Sequence, residues 1–135
     1  MNSILFITGT QGVGKTFLVE KLAKFKMSKG FEDYINIECN EESLIQGLKY
    51  AHENICFLLI EDLKEDQIPF LKVLISRKTI LLRKAYQNNV RNIPIPDIVV
   101  TSNNDLVINA IKERFDLNDK VTTLHLTHIN PLNLF

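Results

Sequence analysis

The chain is short of the features that mark secreted and membrane proteins. Cysteine occurs twice, at Cys39 and Cys56, too seldom for a disulfide framework, so reduced thiols in a cytosol-like compartment are expected. The longest apolar runs, such as Ile55 to Ile60, fall far below the roughly 20 residues of a membrane span. No basic segment followed by an apolar one opens the chain, which excludes a recognisable signal peptide. Net charge is absent too: sixteen Lys and Arg balance sixteen Asp and Glu, so no global field draws the chain to nucleic acid or to a membrane surface. There is no internal repeat, low-complexity tract or Gly/Ser linker. With 135 residues, 45% hydrophobic and 24% charged, a single continuous domain over residues 1–135 is expected rather than disorder.

Within that neutral total, one stretch lacks acid altogether. Residues 67 to 96 hold Lys72, Arg77, Lys78, Arg83, Lys84 and Arg91 with no Asp or Glu, a balance of +6. The flanking blocks differ: residues 1 to 29 carry +4 and residues 30 to 66 carry −8. An acid-free basic block inside a neutral protein is a local electrostatic footprint of the kind that meets phosphates.

Apolar runs alternate with helical periodicities. Ser3 to Thr8, Tyr34 to Ile37, Ile55 to Ile60, Ile98 to Thr101 and Val121 to Leu126 read as strands, and Ile55 to Ile60 is apolar throughout, as in a central strand covered on both faces. Thr16 to Lys29, Glu41 to Glu53, Ile68 to Ser76 and Leu106 to Phe115 read as helices, with Gly30 placed to cap the first and Pro69 in the first turn of the third. Thr79 to Leu82 and Val90 to Ile95 flank the turn signal Gln87-Asn88-Asn89, which predicts a hairpin within residues 78–96. Pro94 and Pro96 confine its second arm to an edge. Strands alternating with helices imply an α/β fold, a mostly parallel sheet with helices on both faces.

The most specific signal is Gly9-Thr10-Gln11-Gly12-Val13-Gly14-Lys15-Thr16, which fits the phosphate-loop pattern G-x-x-x-x-G-K-[ST] at every position. Glycines let the backbone curl its N–H groups around phosphate oxygens, and the helix that follows adds the positive end of its dipole. Lys15 supplies a mobile cation for the β- and γ-phosphates, and the Thr16 hydroxyl is a ligand for Mg²⁺. A strand before the loop and an amphipathic helix after it are the required context. Nucleotide binding, with ATP and Mg²⁺ as cofactors, is expected.

Two further strands end in polar groups. Ile55 to Ile60 runs into Glu61-Asp62, and Ile98 to Thr101 runs into Ser102-Asn103. Ligands of parallel sheets gather at the carboxyl ends of strands, so both groups are expected to face the phosphate loop. By their order along the strand, Glu61 is assigned to the metal and Asp62 to the attacking water. An Asn103 carboxamide would act on the γ-phosphate or the water without adding negative charge.

This ordered set resembles the superfamily 3 helicase domain of replication initiators from small DNA viruses and plasmids, over about Ile4 to Asn104. The resemblance rests on the phosphate loop, the apolar strand ending in Glu61-Asp62, and the basic stretch from Arg83-Lys84 through Arg91 to Ile93-Pro94-Ile95-Pro96. The segment Ile98 to Asn103 then stands as motif C with Asn103 as sensor. It implies a three-layer P-loop ATPase of AAA+ type working as a homo-oligomer, a hexameric ring. It also implies a hairpin whose Arg83, Lys84 and Arg91 contact single-stranded nucleic acid, DNA first, and an arginine finger, for which Arg114 is the candidate. With Met1 two residues before the first strand, the expectation is a minimal ATPase, or a piece of a longer initiator, without the endonuclease domain and helical collar of many relatives. Its place would be the cytoplasm or the host compartment where a virus or plasmid replicates. His125-Leu126-Thr127-His128 is not the His-hydrophobic-His nuclease motif.

Other classes share the phosphate loop. A small P-loop kinase would phosphorylate a nucleotide or metabolite, with Arg77, Arg83 and Arg91 serving as a lid, and would work as a monomer or dimer. A nucleotide-binding regulator without turnover is the third class. The acidic pair and the sensor favour water activation, and hence the helicase-type ATPase.

Overall fold

In a computed structural model, residues 3–9, 14–103 and 121–125 are described, the last as backbone. Among these residues, seven strands and three helices of eight or more residues follow in the order β1 (Ile4–Thr8), α1 (Lys15–Ser28), β2 (Ile35–Asn36), α2 (Glu41–Tyr50), β3 (Leu58–Ile60), α3 (Ile68–Ser76), β4 (Thr79–Leu82), β5 (Arg91–Pro94), β6 (Ile98–Ser102) and β7 (Val121–His125). A short 3-10 turn over Glu65–Gln67 leads into α3. The expected helix at Leu106 to Phe115 lies outside the described residues.

Five strands form one parallel sheet in the order β2-β3-β6-β1-β7, and β4 and β5 pair as a separate antiparallel ribbon. The α/β class read from the alternation of elements is what the structure shows. Alternate residues of each strand face opposite layers. Ile4 and Phe6 of β1, Leu58 and Ile60 of β3, and Ile98 and Val100 of β6 meet Leu44 and Leu48 of α2 and Leu71 and Leu74 of α3. Ile7, Leu59 and Val99 point the other way, against Val19 and Ala23 of α1. The sheet is therefore sandwiched, with α1 on one face and α2 and α3 on the other. Full burial of all three β3 residues agrees with the uninterrupted apolar run that predicted it.

Several boundaries follow local chemistry. Gly14 occupies the left-handed region (φ 98°) at the start of α1, where a side chain would be strained. The Asn40 side chain accepts from the Ser43 N–H at 2.7 Å, the N-cap that starts α2, and Ser43 Oγ accepts from the Glu38 N–H, which ties the preceding turn to the helix. Other boundaries follow tertiary contacts. The helix α2 stops at Tyr50 instead of Glu53 because the carbonyls of Lys49 and Ala51 are taken by the Ala85 N–H and the Lys84 ammonium. The strand β3 starts at Leu58 instead of Ile55, since Ile55 makes only an isolated bridge to Glu32.

Gly47 sits inside α2, where glycine costs about 1 kcal/mol against alanine. A Cβ there would come within 2.8 Å of Ile37 Cγ2, a branch methyl that cannot swing away without moving the β2 edge. Gly47→Ala is therefore expected to destabilise the fold by about 1–2 kcal/mol although it raises helix propensity. Denaturant unfolding of the two proteins checks the sign. Unchanged or raised stability would mean that α2 can withdraw from β2.

Candidate functional site

The carboxyl ends of the parallel strands gather the chemistry. β1 delivers the chain to Gly9 (φ 145°), whose N–H donates to the Ser102 carbonyl of β6 at 3.3 Å, so the two strand ends stay together where the loop departs. β6 lies between β1 and β3. At about 4.8 Å per strand step, the loop and the acidic pair stand roughly 10 Å apart. That gap is wide enough for a phosphate group and a water above β6.

A cavity of about 450 Å³ opens there. Its polar wall combines Lys15 and Thr16 from α1, Glu61 and Asp62 after β3, and Thr101 and Asn103 at the end of β6. Five residues that the sequence placed on three separate segments, Lys15, Thr16, Glu61, Asp62 and Asn103, thus share one space. Of the loop, Gly9 and Gly14 are described, while Thr10, Gln11, Gly12 and Val13 lie outside the described residues, as does Arg114.

The groups differ in how they are held. The Lys15 ammonium donates to the Gly9 carbonyl at 2.6 Å, folded back across the loop. Partial burial lowers its pKa, against the opposing pull of the Asp62 carboxylate. Asp62 occupies the left-handed region (φ 54°), which Asp tolerates better than most residues, and its N–H donates to Thr101 Oγ1 at 3.1 Å. Its carboxylate accepts from Asn103 Nδ2 at 3.3 Å and from the Lys64 ammonium at 2.8 Å. Acid and carboxamide, predicted from separate strand ends, are in contact. Among the described residues no group donates a hydrogen bond to the Glu61 carboxylate, and it faces the cavity. Sequence reasoning missed Lys64 and Tyr34. Nothing in the local pattern marks Lys64, and Tyr34 reaches the cavity only through the pairing of β2 with β3.

The donor set suits a divalent cation held chiefly by phosphate. Mg²⁺ takes one or two protein oxygens and completes its shell with water and phosphate, and a Thr16 hydroxyl with a Glu61 carboxylate is such a pair. Among the described residues no three His, Cys, Asp or Glu converge into a cage.

The basic hairpin is more varied than its charge suggests. The ribbon β4–β5 forms as expected, with Thr79 opposite Pro94 and Leu82 opposite Arg91. Arg83 is exposed. Arg91 is exposed but engaged, pairing with Glu53 and donating from Nε to Gln87 Oε1 at 3.2 Å. Lys84, expected to present its charge to nucleic acid, is corrected by the structure: it is only 6% exposed, and its ammonium donates to the Ala51 carbonyl at 2.6 Å. Ile80, Leu82 and Lys84 alternate onto the inner face of the ribbon, so the strand period that buries the two apolar residues carries Lys84 inward as well. Burial lowers its pKa accordingly. At the tip, Tyr86 is fully exposed with φ 66°, an unusual conformation for an aromatic residue.

Among the described residues no helix is long and apolar enough to cross a membrane. No protein-family model matches the chain, and no curated protein does. Solved structures similar to it include the C-terminal region, residues 305–718, of NrS-1 in its A-form apo structure. The TM-score is 0.56 at 19% identity, over 98% of this chain and 30% of that one. The likeness is one of fold, and the present chain spans less than a third of that region.

Proposed function

We propose that the chain is a Mg²⁺-dependent P-loop ATPase of the helicase type, coupling ATP hydrolysis to movement along single-stranded nucleic acid. One observation carries this reading: Lys15, Thr16, Glu61, Asp62 and Asn103 line a single cavity at the carboxyl ends of adjacent parallel strands. Lysine and the start of α1 suit the phosphates. Thr16 and Glu61 would hold Mg²⁺, which when bound neutralises charge on the β- and γ-phosphates. Asp62, kept in place by Thr101 and Asn103, is poised to orient and deprotonate a water, and Asn103 can turn its amide to the same phosphate.

The nucleic-acid part of the proposal draws on the replication-initiator resemblance and on the hairpin. Arg83 and the fully exposed Tyr86 ring stand together at its tip, a cation and a stacking surface of the kind that hold single strands. Lys84 serves this surface from beneath, by fixing the ribbon to the end of α2. Ring assembly, with Arg114 acting on a neighbour's nucleotide, and residence where a virus or plasmid replicates belong to the same proposal.

Steady-state ATP hydrolysis with Mg²⁺, with and without single-stranded DNA, tests it. Hydrolysis stimulated severalfold by DNA is the expected result, with Arg83→Ala reducing the stimulation and sparing the basal rate. ATP bound but not hydrolysed under either condition would overturn the ATPase reading and leave phosphoryl transfer to another acceptor.

A further inference from the structure

A second cavity, of about 300 Å³, shares no residue with the phosphate site. It lies between the end of α2, which supplies Lys49 and Tyr50, and the turn of the β4–β5 ribbon, which supplies Arg83, Lys84 and Tyr86. Among the described residues no Asp or Glu lines it. Two contacts join its walls before any ligand arrives. The Ala85 N–H donates to the Lys49 carbonyl at 2.9 Å, and the Lys84 ammonium donates to the Ala51 carbonyl at 2.6 Å.

The second of these contacts also sets the charge of the cleft. The carbonyl end of a helix carries about half a negative charge, which would repel an anion from this place. The Lys84 ammonium neutralises it and leaves the charges of Lys49 and Arg83. Among the described residues neither of those two pairs with a carboxylate. Two tyrosines complete the cleft. Tyr50 is 62% exposed, and the Lys49 ammonium stands over its ring, 5.7 Å from the centroid, so charge and aromatic face lie side by side. Tyr86 is fully exposed and held at φ 66°. Burial of neither ring supports the fold, and a bulky residue in the left-handed region is the kind of strain that collects at ligand sites.

We propose that this cleft carries a bound single strand from the ribbon tip onto α2 and takes one of its nucleotides: the base stacks on Tyr50, and its phosphate meets Lys49 and Arg83. This deepens the nucleic-acid part of the reading above and needs nothing of its ATPase part. Cations without acidic neighbours select an anion, and exposed rings select a flat aromatic group; a nucleotide offers both. An acidic protein segment would use the cations and leave the rings idle. The volume, at the low end of the range for small-molecule pockets, suits a single nucleotide.

Fluorescence anisotropy of a labelled oligothymidylate, with the full chain, without ATP and over a range of salt, tests the proposal. Tyr50→Ala is expected to weaken binding about tenfold, while Tyr50→Phe, which keeps the stacking face, stays near wild type. Lys49→Ala should weaken binding and lower the slope of log affinity against log salt by roughly 0.7, the share of one phosphate on a single strand. Equal losses in Tyr50→Phe and Tyr50→Ala would overturn the stacking role. Wild-type affinity and slope in both Lys49→Ala and Tyr50→Ala, with Arg83→Ala impaired, would overturn the cleft and leave the ribbon tip as the contact. Thymidine monophosphate that competes as tightly as the oligonucleotide binds would make this a free-nucleotide site and overturn its assignment to a strand. Failure of the wild-type chain to bind the oligonucleotide at all would overturn the nucleic-acid reading above together with this one.

Discussion

Lys15→Ala is expected to cut ATP hydrolysis by a factor of 10² to 10³ or more while leaving the protein folded. A lysine in this loop makes charge-assisted contacts with phosphate oxygens whose charge grows in the transition state, and such a contact in a partly water-excluded site contributes about 3–4 kcal/mol. At 1.36 kcal/mol per tenfold, that corresponds to the stated range. The fold should tolerate the change because the ammonium donates within its own loop, to the Gly9 carbonyl, and its partial burial disfavours the charged form. Thermal unfolding near the wild-type temperature beside lost hydrolysis is the expected pair of results. The lowered pKa has a sign to check as well. Deprotonation removes the cation that the phosphates require, so the alkaline limb of the rate profile should begin below the pH at which an ordinary lysine titrates. A Lys15→Ala protein that hydrolyses ATP at the wild-type rate would show that the phosphates do not bind here.

The same residues show how much of the molecule its sequence disclosed. The helix α3 and the strand β4 fall at the predicted bounds, Ile68–Ser76 and Thr79–Leu82, because Pro69 and the alternation around Ile80 are local signals. The ends of α2 and β3 were not legible, since they depend on hydrogen bonds from Lys84, Ala85 and Glu32, which no window around them contains. Gathering of Glu61, Asp62 and Asn103 beside Lys15 was legible for a topological reason: polar residues that end buried parallel strands must emerge at one edge of the sheet. What could not be read was their division of labour, which depends on contacts made across strands.

Lys84 and Tyr34 mark the limits of reading charge and polarity one residue at a time. The +6 block identified a basic surface, but net charge does not say which cations face outward. Period-two alternation, continued two residues past Leu82, would have placed Lys84 on the inner face. Tyr34 is adjacent in sequence to nothing in the site, and it joins the cavity only because parallel pairing sets Ile35 beside Leu58. A parallel neighbour is supplied by a crossover of a dozen or more residues, so such a contact leaves no short-range trace.

The acidic pair should separate into two phenotypes. Asp62→Asn keeps the size of the side chain and an oxygen able to accept from Asn103 and Lys64, but it cannot take a proton from water. Loss of a general base costs 10² to 10⁴ in rate, so hydrolysis should fall by at least a hundredfold with ATP affinity preserved. Glu61→Gln leaves that base intact and weakens the protein's hold on the cation. It should raise the Mg²⁺ required for both binding and hydrolysis by about tenfold or more, with part of the rate recovered at high Mg²⁺. The structural basis for the split is that Asp62 is fixed by Thr101, Asn103 and Lys64, whereas Glu61 faces the cavity with no described donor of its own. Titrating Mg²⁺ against hydrolysis, and measuring nucleotide binding separately, distinguishes the two. If Asp62→Asn instead shows the Mg²⁺-dependent defect and Glu61→Gln the defect in rate alone, the roles are exchanged. The carboxylate bound to Asn103 is then the metal ligand, and Glu61 acts on the water.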